Sequence, residues 1–277
     1  MDSLEIYEHH QKPIQSIYTS RLKIQILLTL ISKNASLGLL REVTGSTSQA
    51  LIPKIRSLEK QNLIEAENYE YRLTPLGRVV AINVDGFVQL IGGIDQHSTF
   101  WAAHDLSGLP DAFLSTIGDL YNSKPKQDTT TDMFSVYSHY LEILKDTAYI
   151  HTLSSVASPS LAQVLAEKVT VGIPVELVVN NYVIELLTKE PYASNLKGLA
   201  VFPNFMVWVT NEKLQVGLTV TDKYLSLGLF KKDDQLYDSS TDLFSQDPSA
   251  VVWGENLFRY YKERSTKLDI LKILSGE

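Results

Sequence analysis

A chain of 277 residues has room for two domains, each with its own core, and its 44% hydrophobic and 21% charged content excludes a disordered or fibrous chain. The lack of cysteine excludes disulfides, thiolate-bound zinc, iron–sulfur clusters and thiol redox sensing. The net charge of −7 is unevenly divided: residues 1–80 hold ten Lys/Arg against eight Asp/Glu, residues 81–277 fifteen against twenty-four, so only the first part suits a polyanionic partner.

In chain order, the apolar positions from Ile17 to Ile31 are dense enough for a helix largely covered by its neighbours, which reads as the first buried helix. Ser36 as N-cap opens a short second helix to Val43, with Leu37, Leu40 and Val43 on its inner side, and Thr44-Gly45 turns the chain. In the next segment Leu51, Ile55 and Leu58 recur at i, i+4, i+7, one apolar stripe of a third helix. Its other face offers Ser48, Gln49, Ile52, Pro53 and Arg56, with Lys54 at the edge, groups suited to phosphates, base edges and thymine methyls. Ser46 and Gln49 have the spacing of a capping box. Pro53, a turn inside, removes a backbone hydrogen bond and predicts a bend.

Residues 63–66 and 71–73 flank the polar turn 67–70, a hairpin the size of a wing, and Thr74-Pro75 caps a further helix. This order predicts a winged helix-turn-helix DNA-binding domain over residues 1–80. Arg72 is a second DNA-contact candidate, ranked below Gln49 and Arg56 because Glu67 and Glu70 sit at the wing tip.

Helical pattern continues from Pro75 to about Ile94, with residues 81–98 as a linker helix before an α/β sensor and dimerisation domain over 99–277. There the sequence predicts helices over 111–121, 133–146 and 160–170 and around 183–187, strands over 148–153, 175–179 and 199–202, and a loop over 123–132. That alternation points to a mostly parallel sheet. Three closely spaced strands, 206–210, 215–221 and 224–230, are expected to pair antiparallel, and a long helix over 248–274 ends the chain. No run approaches the roughly 20 apolar residues that span a bilayer, and the start of the chain lacks a signal pattern, so a cytoplasmic protein without a membrane partner is expected.

The chain resembles the archaeal winged-helix regulators known as methanogenesis or filament-formation regulatory proteins. The pieces that carry the resemblance are the segment from Ser46 to Leu63, Tyr71-Arg72-Leu73-Thr74-Pro75-Leu76-Gly77, Phe100-Trp101 with His104-Asp105-Leu106-Ser107, and the tail from Val220 to Phe230 with Tyr237-Asp238, Asp242-Leu243, Trp253-Gly254 and Leu257 to Tyr261. The resemblance implies DNA binding and an effector domain. It also suggests one half of a phospholipase-D-like fold, an analogy of fold alone.

Phospholipase-D chemistry needs a His-x-Lys pair, and the one in the chain, His10-Gln11-Lys12, precedes the first buried helix and reads as a solvated end. Asp95, His97, His104 and Asp105 could be imagined around a metal, but their spacing fits no helix face, and a hydrogen-bonded structural role is the stronger reading. Gly92-Gly93 follows no strand and makes no phosphate loop. No cofactor or catalytic residue is expected.

The polar groups Asp222, Ser226, Asp238 and Asp242, with Trp101, His104, Asp105 and Tyr224 as companions, are the candidate effector-binding residues, because ligands of open α/β sheets bind beside strand ends. Trp253 reads as core. The leading reading is a homodimeric DNA-binding transcription regulator with a small-molecule effector. A phosphodiester hydrolase docked by its winged helix and a protein-interaction adaptor are the alternatives.

Overall fold

The computed structural model describes residues 2–275, which form two compact units divided between Gln89 and Leu90. The first holds helices α1 (Ser3–Tyr18), α2 (Arg21–Ser32), α3 (Leu37–Thr44) and α4 (Ser48–Lys60), and α5 (Pro75–Gln96) as far as Gln89. Strands β1 (Ala35–Ser36), β2 (Ile64–Glu67) and β3 (Glu70–Leu73) form an antiparallel sheet in the order β1-β3-β2. Its core is the stripe of α4 met by the neighbouring helices: Leu51, Ile55 and Leu58 pack with Ile26, Leu27 and Leu30 of α2 and Leu40 of α3. Burial of each such side chain contributes about 1.5–3 kcal/mol.

Several local expectations are corrected here. The first buried helix is α2 alone: the chain breaks at Thr19, Ser20 caps α2, and α1 precedes it. Helix α1 carries a capping box of Asp2 and Glu5 yet has no buried residue, so a search for the pattern of a covered helix passes it by. In α3 the inward positions are Leu37, Leu40 and Thr44, spaced i, i+3, i+7, while Val43 is half exposed; Thr44 satisfies its hydroxyl on Leu40 O (2.7 Å). Thr47, not Ser46, caps α4 by accepting from Ala50 N (3.3 Å), and Ser46 accepts from Arg21 instead. Pro53 lies inside an unbroken α4, as the reading of a single third helix expects.

One described helix, α5, is long and apolar enough to cross a membrane by length and composition (22 residues, mean hydropathy 1.2), contrary to the expectation from the sequence. Of its polar residues, Arg78, Asn83, Asp85 and Gln89 are spread singly among apolar ones, and Asp95 and Gln96 stand together at its end. Ala81 and Val84 on one side are buried in the core of the first unit, so that side is a packing face.

The second unit begins with α6 (Ser98–Ala103), β4 (His104–Asp105), α7 (Asp111–Leu114) and a 3-10 turn over Ile117–Leu120, where one longer helix was expected. The polar run after it contains an edge strand, β5 (Lys124–Gln127). Next come α8 (Ser135–Ile143), β6 (Ile150–Ser154), α9 (Pro159–Thr170), β7 (Val175–Asn180), α10 (Asn181–Leu187), α11 (Ala193–Leu199) and β8 (Phe205–Thr210). The chain continues through β9 (Val216–Val220), β10 (Leu225–Lys231), β11 (Tyr237–Ser245), α12 (Pro248–Glu263), β12 (Ser265–Lys267) and α13 (Ile270–Ser275).

Among the described residues these strands form one mixed sheet in the order β12-β8-β7-β6-β9-β10-β11-β5, with β4 beside β10. Only β6, β7 and β8 run parallel, so the expected mostly parallel sheet is corrected. Strands β9 and β10 pair antiparallel as expected, but β8 lies at the other side of β6 and β7 and pairs with β12. The strand expected over 199–202 is the end of α11 and a turn, a short apolar run being ambiguous between helix and strand. The long last helix stops at Glu263, where the polar stretch Ser265–Lys267 joins the sheet edge.

Residues alternate strictly between the two faces of this sheet. One face presents Leu153, Val178, Leu218, Leu227 and Leu243 to Leu257 and Phe258 of α12 in a continuous apolar core. The opposite face is apolar on β7 and β8, through Val175, Val179 and Val207, beneath α10 and α11. On β6, β9, β10 and β11 it carries Thr152, Gly217, Thr219, Ser226, Gly228 and Asp242 instead. These side chains are too small or too polar to fill the space beneath α8, and a cavity remains.

Candidate functional site

Two regions gather the candidate residues. The first is the outer face of α4. With Leu51, Ile55 and Leu58 buried beneath it, Gln49, Ile52, Pro53, Lys54 and Arg56 are exposed and Ser48 is partly so. Among the described residues Arg56 pairs with Glu59, one turn on (3.1 Å), an exposed pair worth at most about 1 kcal/mol and easily exchanged for another anion. Lys23, buried beneath α4, donates to Ser16 (2.5 Å) and Ser57 (2.8 Å). Its burial, and then the charge of Lys54, hold its ammonium below the usual value. Arg72 is exposed on β3 but tied to Glu65 (2.8 Å) and Glu67, so its charge is largely compensated within the hairpin. The turn residue Tyr69, at φ 66°, is 98% exposed at the hairpin tip.

The second region is the cavity of about 760 Å³ in the second unit. Its floor is the sheet face just described, with Thr152, Thr219, Ser226 and Asp242; its roof is Val136, Tyr137 and Tyr140 of α8; its end is Ser158, Ser160 and Leu161 at the start of α9. The polar floor is cross-linked. Tyr140 Oη and Thr219 Oγ1 lie 3.0 Å apart, Thr219 donates to Thr152 Oγ1 (3.2 Å), and Thr152 donates to Leu218 O (2.8 Å). Ser226 donates to Asp242 Oδ2 (2.9 Å). Burial pushes the Asp242 carboxyl up to about 7, with the charge of Asp238 adding to the effect and the bond from Ser226 opposing it. Burial likewise pushes the Tyr140 phenol up to about 12 and Tyr237 well above its ordinary value.

Of the eight effector candidates read from the sequence, the cavity collects Ser226 and Asp242. The others have partners elsewhere. Trp101 is buried in the core and donates to Gly93 O (3.0 Å). His104 donates from Nδ1 to Phe100 O (2.7 Å) and meets Asp238 Oδ2 at Nε2 (3.2 Å). Asp238 also accepts from the Ser240 N–H (3.0 Å) and hydroxyl (2.6 Å). Asp105 accepts from the backbone and hydroxyl of Ser107, bonds that hold its carboxyl low. Asp222 ties the approach to β6 by accepting from Thr147 (3.0 Å) and Ala148 N (2.8 Å); against the desolvation that pushes it up, these bonds keep it low. Tyr224 donates its backbone N–H to Thr221 and leans on the apolar cluster below β7 and β8. Asp238 and Asp242 both lie on β11.

Sequence reasoning missed Tyr137, Tyr140, Tyr237, Thr152 and Thr219. Their signal was faint but present: single hydroxyls inside apolar strand runs, and two tyrosines three apart on one helix. Of the residues imagined around a metal, His97 lies near Leu120 O and Tyr121 O through Nε2 and belongs to the packing of the 3-10 turn. Among the described residues no group of three or more His, Cys, Asp or Glu could hold an ion.

The chain thus holds an exposed helical face in a part of the sequence with a basic balance and, separately, a cavity of mixed polar and apolar lining. Two family models match the chain, those of the N-terminal and middle domains of the methanogenesis regulatory protein FilR1, over residues 11–92 and 133–264. The chain belongs to the FilR1 family of regulatory proteins. It is 26% identical over 261 residues to the methanogenesis regulatory protein FilR1 of Methanothrix harundinacea, covering 93% of this chain and 58% of the relative, so it spans little more than half of that protein's length. Among solved structures, TrmBL2, an archaeal chromatin protein described with a novel mode of DNA binding, aligns at a TM-score of 0.42 and 13% identity over 96% of this chain and 100% of that one. Nuc, a phospholipase D family member from Salmonella typhimurium, aligns at 0.40 and 10% identity over 53% of this chain and 97% of that one.

Proposed function

We propose that this chain is a cytoplasmic transcription regulator, not an enzyme, whose first unit is a winged helix-turn-helix that binds double-stranded DNA through Ser48, Gln49, Ile52, Pro53, Lys54 and Arg56. The observation that carries the reading is the outer face of α4: its apolar stripe is consumed by the core, and the polar, basic and methyl-bearing side chains left outside match phosphates and base edges. Family membership supports it. Arg72 contributes less, since any phosphate must compete with Glu65 and Glu67. The test is electrophoretic retardation of the chain's own upstream DNA. Binding at low salt that weakens steeply as salt rises supports the reading, and no binding at low salt removes it.

The second unit is an α/β effector domain that senses a small molecule in the cavity beneath α8; the topological half of a phospholipase-D-like fold remains its working description, without the His-x-Lys pair of the enzymes. The size and mixed lining of the cavity support this sensing reading. A broad screen for compounds that raise the melting temperature and change DNA affinity tests it. A homodimer is part of the same reading, supported by apolar residues left in solvent on α5, among them Val79, Ile82 and Phe87. Solution mass measures it directly. A monomer at micromolar concentration removes that part.

A further inference from the structure

The cavity of the second unit also constrains the charge of its occupant, an inference that rests on the sensing reading above. Among the described residues that line it there is no lysine, arginine or histidine, whereas two aspartates are present. Asp128 is committed to the fold: Oδ1 accepts from Val136 N (2.9 Å) and Ser135 Oγ (3.2 Å), fastening the start of α8. Asp242 differs. It is only 7% exposed and its Oδ2 takes one hydroxyl, while Oδ1 lies with the Tyr237 hydroxyl above Gly228. A buried carboxyl with one neutral hydrogen bond is poorly compensated when ionised, so a cation brought to it is bound more strongly than in water.

The surroundings agree in kind. Phe134, Tyr137, Tyr140 and Tyr237 line the same space, and the ring of Tyr140 is anchored through its hydroxyl to Thr219 (3.0 Å). Aromatic rings stabilise an organic cation beside them. Among the described lining residues the start of α9 could favour an anion, but its donors there are few: Pro159 has no N–H and the Leu161 N–H is taken by Ser158 Oγ (3.5 Å), leaving the Ser160 N–H. At about 760 Å³ the space suits an organic molecule and is far too large for a bare metal ion.

We propose that the cavity takes a small organic cation, a primary or methylated ammonium on an apolar body, with its charge against Asp242 and its body along Tyr140 and Tyr237.

Three probes of one frame test it on the full chain: phenethylammonium, the neutral phenethyl alcohol and the anionic phenylacetate, each by calorimetry and thermal unfolding at pH 8. The expected result is that the cation binds at least about tenfold more tightly than the alcohol, that the anion is the weakest, and that Asp242→Asn brings the cation down to the level of the alcohol. Equal binding of cation and alcohol, tighter binding of the anion, or a cation preference that survives Asp242→Asn overturns the proposal while leaving the sensing reading intact. No binding by any of the three overturns it as well; the wider screen then decides the sensing reading, which fails only if that screen is also empty. The comparison of the three head groups in the parent chain holds whether or not the variant folds.

Discussion

The outer face of α4 and the floor of the cavity are both polar surfaces laid over an apolar core, but they are built in opposite ways. On α4 one stretch of thirteen residues supplies both the buried stripe and the exposed face, so a change on the exposed side leaves the buried one standing. The cavity floor is assembled from β6, β9, β10 and β11 under a roof from α8, and the bonds linking Tyr140, Thr219, Thr152 and Leu218 span 66 or more positions of sequence. The first is a surface that can be altered without disturbing the fold. The second is part of the fold, so its chemistry and its stability change together.

The largest effect should come from breaking the support beneath the α4 face. Leu51→Ala removes a fully buried side chain and is expected to destabilise the first unit by about 2–5 kcal/mol, read by urea denaturation. A loss below about 1 kcal/mol would mean that the stripe does not carry the helix. The double change Gln49→Ala with Arg56→Ala touches only the exposed side; DNA affinity should fall on the order of a hundredfold with loss of sequence preference, while stability moves by less than about 0.5 kcal/mol. A matching fall in melting temperature would erase the distinction between the two regions.

In the cavity the same kind of change is expected to alter stability, and with a defined dependence on pH. The Asp242 carboxyl, raised from 3.8 to about 7, keeps in the folded chain a proton that the unfolded chain has already lost. Stability therefore falls as pH rises from about 4 to about 7 and stays lower above that. The charges and titrating groups around it are Asp238 and Tyr237 on its own strand, Lys126 opposite on β5, Asp128 after that strand, and His139 and Tyr140 on α8. Asp242→Asn should raise stability at pH 8 on the order of 2 kcal/mol, several degrees in melting temperature, and leave it unchanged near pH 4. A gain that is the same at both pH values would mean that the carboxyl is not the cause. The smallest effect is expected at Arg72→Ala, with DNA affinity down by less than about threefold and stability by less than about 1 kcal/mol, since an exposed ion pair contributes little. A tenfold loss of DNA affinity would promote the hairpin to a principal contact.

The two regions also differ in how far the sequence exposes them. Leu51, Ile55 and Leu58 identify both faces of α4 at once, because helical periodicity is local. The cap of α4 was displaced by one residue, Thr47 for Ser46, since both have the right chemistry and only the backbone distinguishes them. The cavity depends on β6 having β9 on its other side from β7, a pairing across two intervening strands that no local pattern encodes. Ser226 and Asp242 were within reach because a carboxylate and a hydroxyl stand out in apolar surroundings, whereas Thr152 and Thr219 look like ordinary strand residues. Asp105, Asp222 and Asp238 are equally conspicuous in sequence and prove to be joints of the fold, each occupied by nearby N–H or O–H donors.

Gly217 and Gly228 stand opposite each other on β9 and β10, and the phenol of Tyr237 rests across the pair where any side chain would collide with it. The ring is therefore propped from below by bare backbone, and its height in the chamber is set by two missing methyl groups. A methyl restored at residue 228 would lift the phenol into the space a guest molecule would use. Such a variant is expected to fill part of the chamber with its own phenol, with no guest required.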